Sequence, residues 1–103
     1  MDSIIQNEKE CYICRAVFHV GTPTNEVHHC LHGSMRQLAD EDGLTVHLCR
    51  YHHDRLHTKG EFDKSLQILA QNAYIGKLMS EGMDEDKARE NFRQRYGRFF
   101  YED

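Results

Sequence analysis

Between Leu48 and His57 the chain carries Cys49, His52, His53 and His57. Thiolate and imidazole are the side chains that bind zinc and related divalent cations, so metal chemistry is the first reading. Upstream stand a C-x2-C pair, Cys11 and Cys14, and the run Val27-His28-His29-Cys30. Cys49 and His52 have the C-x2-H spacing that completes a zinc site begun by a C-x2-C. Cys11, Cys14, Cys49 and His52 together make a closed set of three thiolates and one imidazole, which is a structural zinc site. His53 and His57 lie four apart, so on a helix they share a face, and that face looks at the strand carrying His28. Three neutral imidazoles leave coordination positions open for water and substrate, the pattern of a catalytic metal. His29 is left beside a ligand but pointing the other way along its strand. Histidine ordinarily titrates near pH 6.5, which suits it to take a proton from water at neutral pH. A metal that stabilises the phosphorane, with a base that makes the nucleophile, matches phosphodiester hydrolysis.

Other partitions of the ligands are weaker. Cys30 in place of His52 would give an all-cysteine tetrahedron, but C-x2-H after a strand fits a knuckle better. Cys11, Cys14, His28 and His32 approach the spacing of a DNA-binding finger, with Phe18 at its aromatic position. Such a finger needs a helix running into its first histidine. Gly21, Pro23 and the β-branched Thr22, Thr24 and Val27 oppose one, and Cys49, His52, His53 and His57 would have no role. His19, His32 and His47 read as surface or strand residues, with a phosphate contact as the alternative for His32 or His47. Arg50 and Arg55 flank the ligands and either hold a DNA backbone or solvate a helix face.

The elements that must position these groups follow from local pattern. Residues 11–14 read as a knuckle turn, 26–31 as a strand, and 44–48 as its partner. The polar connection between them holds a short helix capped by Ser34 and running to Asp42. Arg50 to Thr58 reads as a helix ended by Gly60. Phe62, Leu66, Leu69, Ala73, Ile75, Leu78 and Met79 then define an amphipathic helix of about five turns, with Gly76 marking a kink or a close contact. Asp84 caps a last helix with the apolar stripe Ala88, Phe92, Tyr96 and Phe99. The expected class is α+β: one domain over 1–103, a zinc-stabilised metal module over 11–58 and a helical extension of two helices over 61–103.

Composition agrees with this reading. At 103 residues, 39% of them hydrophobic, a single core is marginal and a structural metal supplies what it lacks. A C-x2-C pair among eight histidines points to metal rather than disulfides in a reducing compartment. Neither a membrane span nor a signal peptide is evident, so the expected location is the cytosol, with no membrane partner. The net charge of −4 speaks against a simple basic nucleic-acid binder, yet Lys87, Arg89, Arg93, Arg95 and Arg98 cluster near the end against Glu90 alone.

Val-His-His-Cys, the strand Leu-Thr-Val-His-Leu-Cys and the run Cys-Arg-Tyr-His-His-Asp-Arg-Leu-His resemble the ββα-metal (His-Me finger) motif of HNH endonucleases. They are most similar to the small zinc-knuckle HNH proteins of bacteriophages and prophages, over about residues 11–58. The resemblance implies a metal-dependent nuclease that hydrolyses DNA, acting in the bacterial host cytosol. It implies His28, His53 and His57 as ligands of a catalytic divalent metal (Mg2+, Mn2+, Ni2+ or Zn2+), with His29 as general base. A triple-histidine site is similar to that of the DNase colicins. Packaging or recombination proteins of a phage are the implied protein partners. A homodimer formed through the long apolar helix would provide two sites for double-strand cutting. The middle asparagine that names the family is not evident, since Leu44 or Thr45 stands in its neighbourhood. Asp40, Asp42 or a backbone group are the candidates for its bracing role. The alternative function is a non-catalytic zinc-stabilised module that binds DNA or protein.

Overall fold

The computed structural model describes residues 2–100, in which five α-helices and one two-stranded antiparallel sheet make a small α+β fold. Helix α1 (Tyr12–Phe18) begins where the spacing predicts only a knuckle turn. The cause is local. Cys11 has extended backbone and its sulfur accepts the N–H of Cys14 at 3.4 Å, an N-cap that starts a helix between the two thiols. His19, at a left-handed φ of 59°, ends it. The chain then doubles back, with the Cys11 N–H donating to the Thr22 carbonyl at 2.8 Å.

Strand β1 (Val27–His29) pairs with β2 (Thr45–His47) so that His28 lies opposite Val46 and His29 opposite Thr45. Both strands are shorter than the pattern predicts. Pairing nevertheless runs on at each end through Cys30 N–H to Leu44 and Leu48 N–H to Glu26, each at 3.1 Å. His28 and Val46 are buried against the core, and strand alternation turns His29 the opposite way. Between the strands a 3-10 turn (Gly33–Met35) runs into helix α2 (Arg36–Glu41). Ser34 lies inside that turn, so His32 takes the capping position predicted for the serine, without a side-chain bond. Gly43 closes the connection at φ 73°, where a Cβ would stand 2.5 Å from the Asp2 carbonyl oxygen. Only glycine fits under the N-terminal segment, whose Ile4 N–H reaches the Gly43 carbonyl at 2.9 Å.

Helix α3 (Arg50–Lys59) follows Cys49 directly and is closed by Gly60, whose N–H meets the Leu56 carbonyl at 2.8 Å. Helix α4 (Asp63–Ser80) runs through Gly76, where an added Cβ would meet nothing within 4 Å, so no close contact requires that glycine. Helix α5 (Glu85–Tyr96) is capped by the Asp84 carboxylate, which accepts the Lys87 N–H at 2.9 Å. The core joins Leu31, Leu44, Val46 and Leu48 to Leu66, Ala70 and Ile75 of α4 and to Ala88, Phe92 and Tyr96 of α5. Both Phe99 and Phe100 pack onto this core, Phe100 the more deeply, because left-handed Gly97 ends the helical phase before either. Asp42 ties α5 to the turn before β2, accepting Arg95 Nε at 2.6 Å and the Tyr96 hydroxyl at 2.5 Å. Among the described residues no helix is long and apolar enough to cross a membrane.

Candidate metal centre

Two ligand clusters flank α3. In the first, donor atoms of Cys11, Cys14, Cys49 and His52 all lie within 4.8 Å of one another. His52 Nδ1 is 3.6 Å from the Cys11 sulfur, 3.5 Å from Cys14 and 3.4 Å from Cys49, and the Cys14 and Cys49 sulfurs are 3.9 Å apart. A tetrahedral zinc, with bonds of about 2.3 Å to sulfur and about 2.0 Å to nitrogen, spaces its sulfurs by about 3.8 Å and sulfur from nitrogen by about 3.5 Å. The edges of this cluster therefore match those of a zinc tetrahedron, and the group could hold that ion. The elements explain the convergence. The N-cap and first turn of α1 supply two sulfurs, and the residue before α3 and its first turn supply the rest. Phe18 stacks on the His52 ring at 5.6 Å between centroids.

Electrostatics in this cluster favour a cation. Burial pushes the Cys14 thiol up to about 11, with the neighbouring Cys11 sulfur adding to the rise. At Cys11 burial works in the same direction and is the largest single influence, but hydrogen bonds from the backbone N–H groups and the thiols of Cys49 and Cys14 together outweigh it and hold the thiol below its ordinary value. One sulfur can thus shed its proton readily, whereas three thiolates at this spacing need a positive charge among them. Burial lowers the pKa of His52, which keeps its ring neutral and able to donate a lone pair. Cys30 stands outside the group. It is fully buried, and burial pushes its thiol up to about 12, so it behaves as a small apolar side chain.

The second cluster brings together His28 of β1 with His53 and His57 of α3, again with donor atoms within 4.8 Å. His28 is 2% exposed, and among the described residues its Nε2 is buried with no hydrogen-bond partner. An unpartnered buried polar atom costs about 1–3 kcal/mol unless something engages it. Burial, followed by the neighbouring imidazoles, lowers the pKa of His28 to about 4. A neutral ring with an unspent nitrogen is the state a divalent cation requires. His57 is exposed and His53 half-buried, so this cluster opens to solvent where the first is closed.

His29 points away from His28, and its Nε2–H donates to Asp40 Oδ1 at 3.1 Å. An open hollow of about 570 Å³ beside it is lined by His29, Gly33, Ser34, Arg36, Gln37 and Asp40. Of the two aspartates considered as counterparts of the asparagine that the resemblance implies, Asp40 touches His29, while Asp42 is engaged by α5. Arg50 and Arg55 both have carboxylate partners: Arg50 meets Glu26 at 3.3 Å, and Arg55 grips both oxygens of Glu61.

His32, read from sequence as a surface or strand residue, is 40% exposed at its side chain and also lies beside the histidine cluster. Its ring is 5.4 Å from that of His28, and its Nε2 bonds Asp63 Oδ1 at 2.6 Å. Asp63, the first residue of α4, went unnoticed in the sequence because it lies 31 residues from His32 with no spacing rule to connect them. Its one signal is an acid in the first turn of a helix, which is too common to be specific. No family model, curated protein or solved structure matches this chain.

Proposed function

We propose that the chain is a metal-dependent HNH endonuclease that hydrolyses DNA phosphodiester bonds, with β1, β2 and α3 as its ββα-metal module. The observation that carries this reading is buried His28, its Nε2 unpartnered, converging with His53 and His57 at the open side of α3. These three residues would hold the catalytic divalent cation, and Cys11, Cys14, Cys49 and His52 would hold the structural zinc. When bound, the catalytic cation supplies Lewis-acid stabilisation of the phosphorane and of the departing sugar oxygen. His29 donates its Nε2–H to Asp40, which leaves the lone pair on Nδ1. That nitrogen takes a proton from water as the water oxygen bonds to phosphorus and the bond to the leaving sugar oxygen breaks. Asp40 orients the base, the role that the family gives to its middle asparagine. Arg50 and Arg55 would exchange their carboxylate partners for backbone phosphates.

The test is nicking of supercoiled plasmid by the full chain with Mg2+, Mn2+, Ni2+ or Zn2+ added. Wild type should nick, and His29→Ala should lose about 10²- to 10⁴-fold, the range of general-base catalysis. Failure of wild type with every metal would overturn the enzyme reading. Equal nicking by both proteins would overturn the role of His29. The second reading, a non-catalytic zinc-stabilised module, draws support from Arg50, Arg55 and Arg95, each occupied by carboxylates of its own chain.

A further inference from the structure

His28 belongs to two trios at once. Its donor atoms lie within 4.8 Å of those of His53 and His57, and equally within 4.8 Å of those of His32 and Asp63. We propose that His28, His32 and Asp63 form a second divalent-cation position, which competes with the three-histidine position for the His28 ring. Three observations support it. The buried His28 Nε2 has no partner among the described residues, so this ring has a nitrogen left unspent. The side chains of His32 and Asp63 are 40% and 30% exposed, which leaves an ion a path from solvent. The trio also mixes two imidazoles with a carboxylate, a donor set that accepts harder cations such as Mn2+ better than three imidazoles do.

A neutral imidazole has one lone pair and so holds one cation. The two positions therefore fill in alternation, and the histidine region binds one ion at a time. Asp63 begins α4, whereas His53 and His57 lie on α3. The cation's choice of partner thus decides whether the ββα unit alone, or that unit together with the helical extension, is cross-linked by metal. The inference shares His28 with the nuclease reading but makes no use of catalysis.

The experiment is a metal titration of the full chain already carrying one zinc per molecule. Free Mn2+ is followed by its electron paramagnetic resonance signal and Zn2+ binding by calorimetry. Wild type should bind one further ion. The variant His53→Ala/His57→Ala should still bind one Mn2+, weakened no more than about tenfold, and adding Asp63→Asn should weaken it at least tenfold again. No Mn2+ binding by the folded double variant, or no effect of Asp63→Asn in it, would overturn the proposal. Asp63→Asn in the otherwise wild-type chain gives an independent reading if the double variant does not fold. There the Mn2+ affinity should fall about tenfold relative to the Zn2+ affinity, and an unchanged ratio would overturn the second position. Plasmid nicking is scored separately, so a chain that binds as expected but never cuts removes the nuclease reading alone.

Discussion

The cysteine cluster and the histidine cluster draw on different faces of one ten-residue helix, and they differ in almost every physical respect. The first draws on the N-cap and first turn of α1 and on the start of α3, is largely buried, and has the edge lengths of a finished tetrahedron. The second draws on a strand and the exposed face of α3, has one deeply buried member, and opens to solvent. The contrast is the physical basis of the division of labour proposed above. A site that closes on all four sides can only hold the fold, and a site with three ligands and an open face has room for a reactant.

This comparison breaks most decisively at Cys11. A structural zinc contributes about 10–16 kcal/mol of binding free energy, as much as the whole stability of an ordinary domain, about 5–15 kcal/mol. Cys11→Ala should therefore lose its zinc by elemental analysis and show no cooperative thermal melt. His57→Ala should do the opposite, lowering nicking at least about a hundredfold while the melt moves by only a few degrees, because the ring is exposed and little packing goes with it. If the melting data came out in the reverse order, the roles assigned to the two clusters would have to be exchanged.

A smaller effect is expected at Asp42, which joins α5 to the turn before β2 without touching either cluster. Asp42→Ala strands the Tyr96 hydroxyl, leaves Arg95 only its weaker contact with Glu41, and should cost about 1–3 kcal/mol in denaturant unfolding, with metal content unchanged. Loss of metal in that variant would mean that the helical extension and the clusters are not separable. The smallest effect belongs to Asp40→Ala, where only the orientation of His29 is lost. Nicking should fall about tenfold at saturating metal, with the same metal affinity as wild type. A change in that affinity would place Asp40 in the ligand set instead.

Much of this was legible in the sequence because the ligand spacings are local. C-x2-C, C-x2-H and H-x3-H each describe one turn of chain, and the strand pairing then needed only β-branched alternation to bring His28 across from α3. Tertiary partnerships were not legible. Asp63 meets His32 across 31 residues, Asp42 meets Arg95 across 53, and neither pair leaves a period to read. The knuckle turn was misread for a different reason. A cysteine can cap a helix through its sulfur, and composition does not distinguish a capped helix from a bare turn. Phe99 packs against the core as the stripe expects, but the more deeply buried Phe100 was missed because a left-handed glycine resets the phase that a stripe counted by threes and fours carries straight through.

His52 and His53 face different clusters only because each step along α3 rotates the chain by about 100°. The consequence concerns spacing more than residue type. Across residues 49–57 substitutions at the exposed Tyr51 and Asp54 should be tolerated, whereas insertion or deletion of a single residue would swing every later ligand out of its own cluster. The length of this stretch is therefore as much a part of both clusters as the ligands themselves.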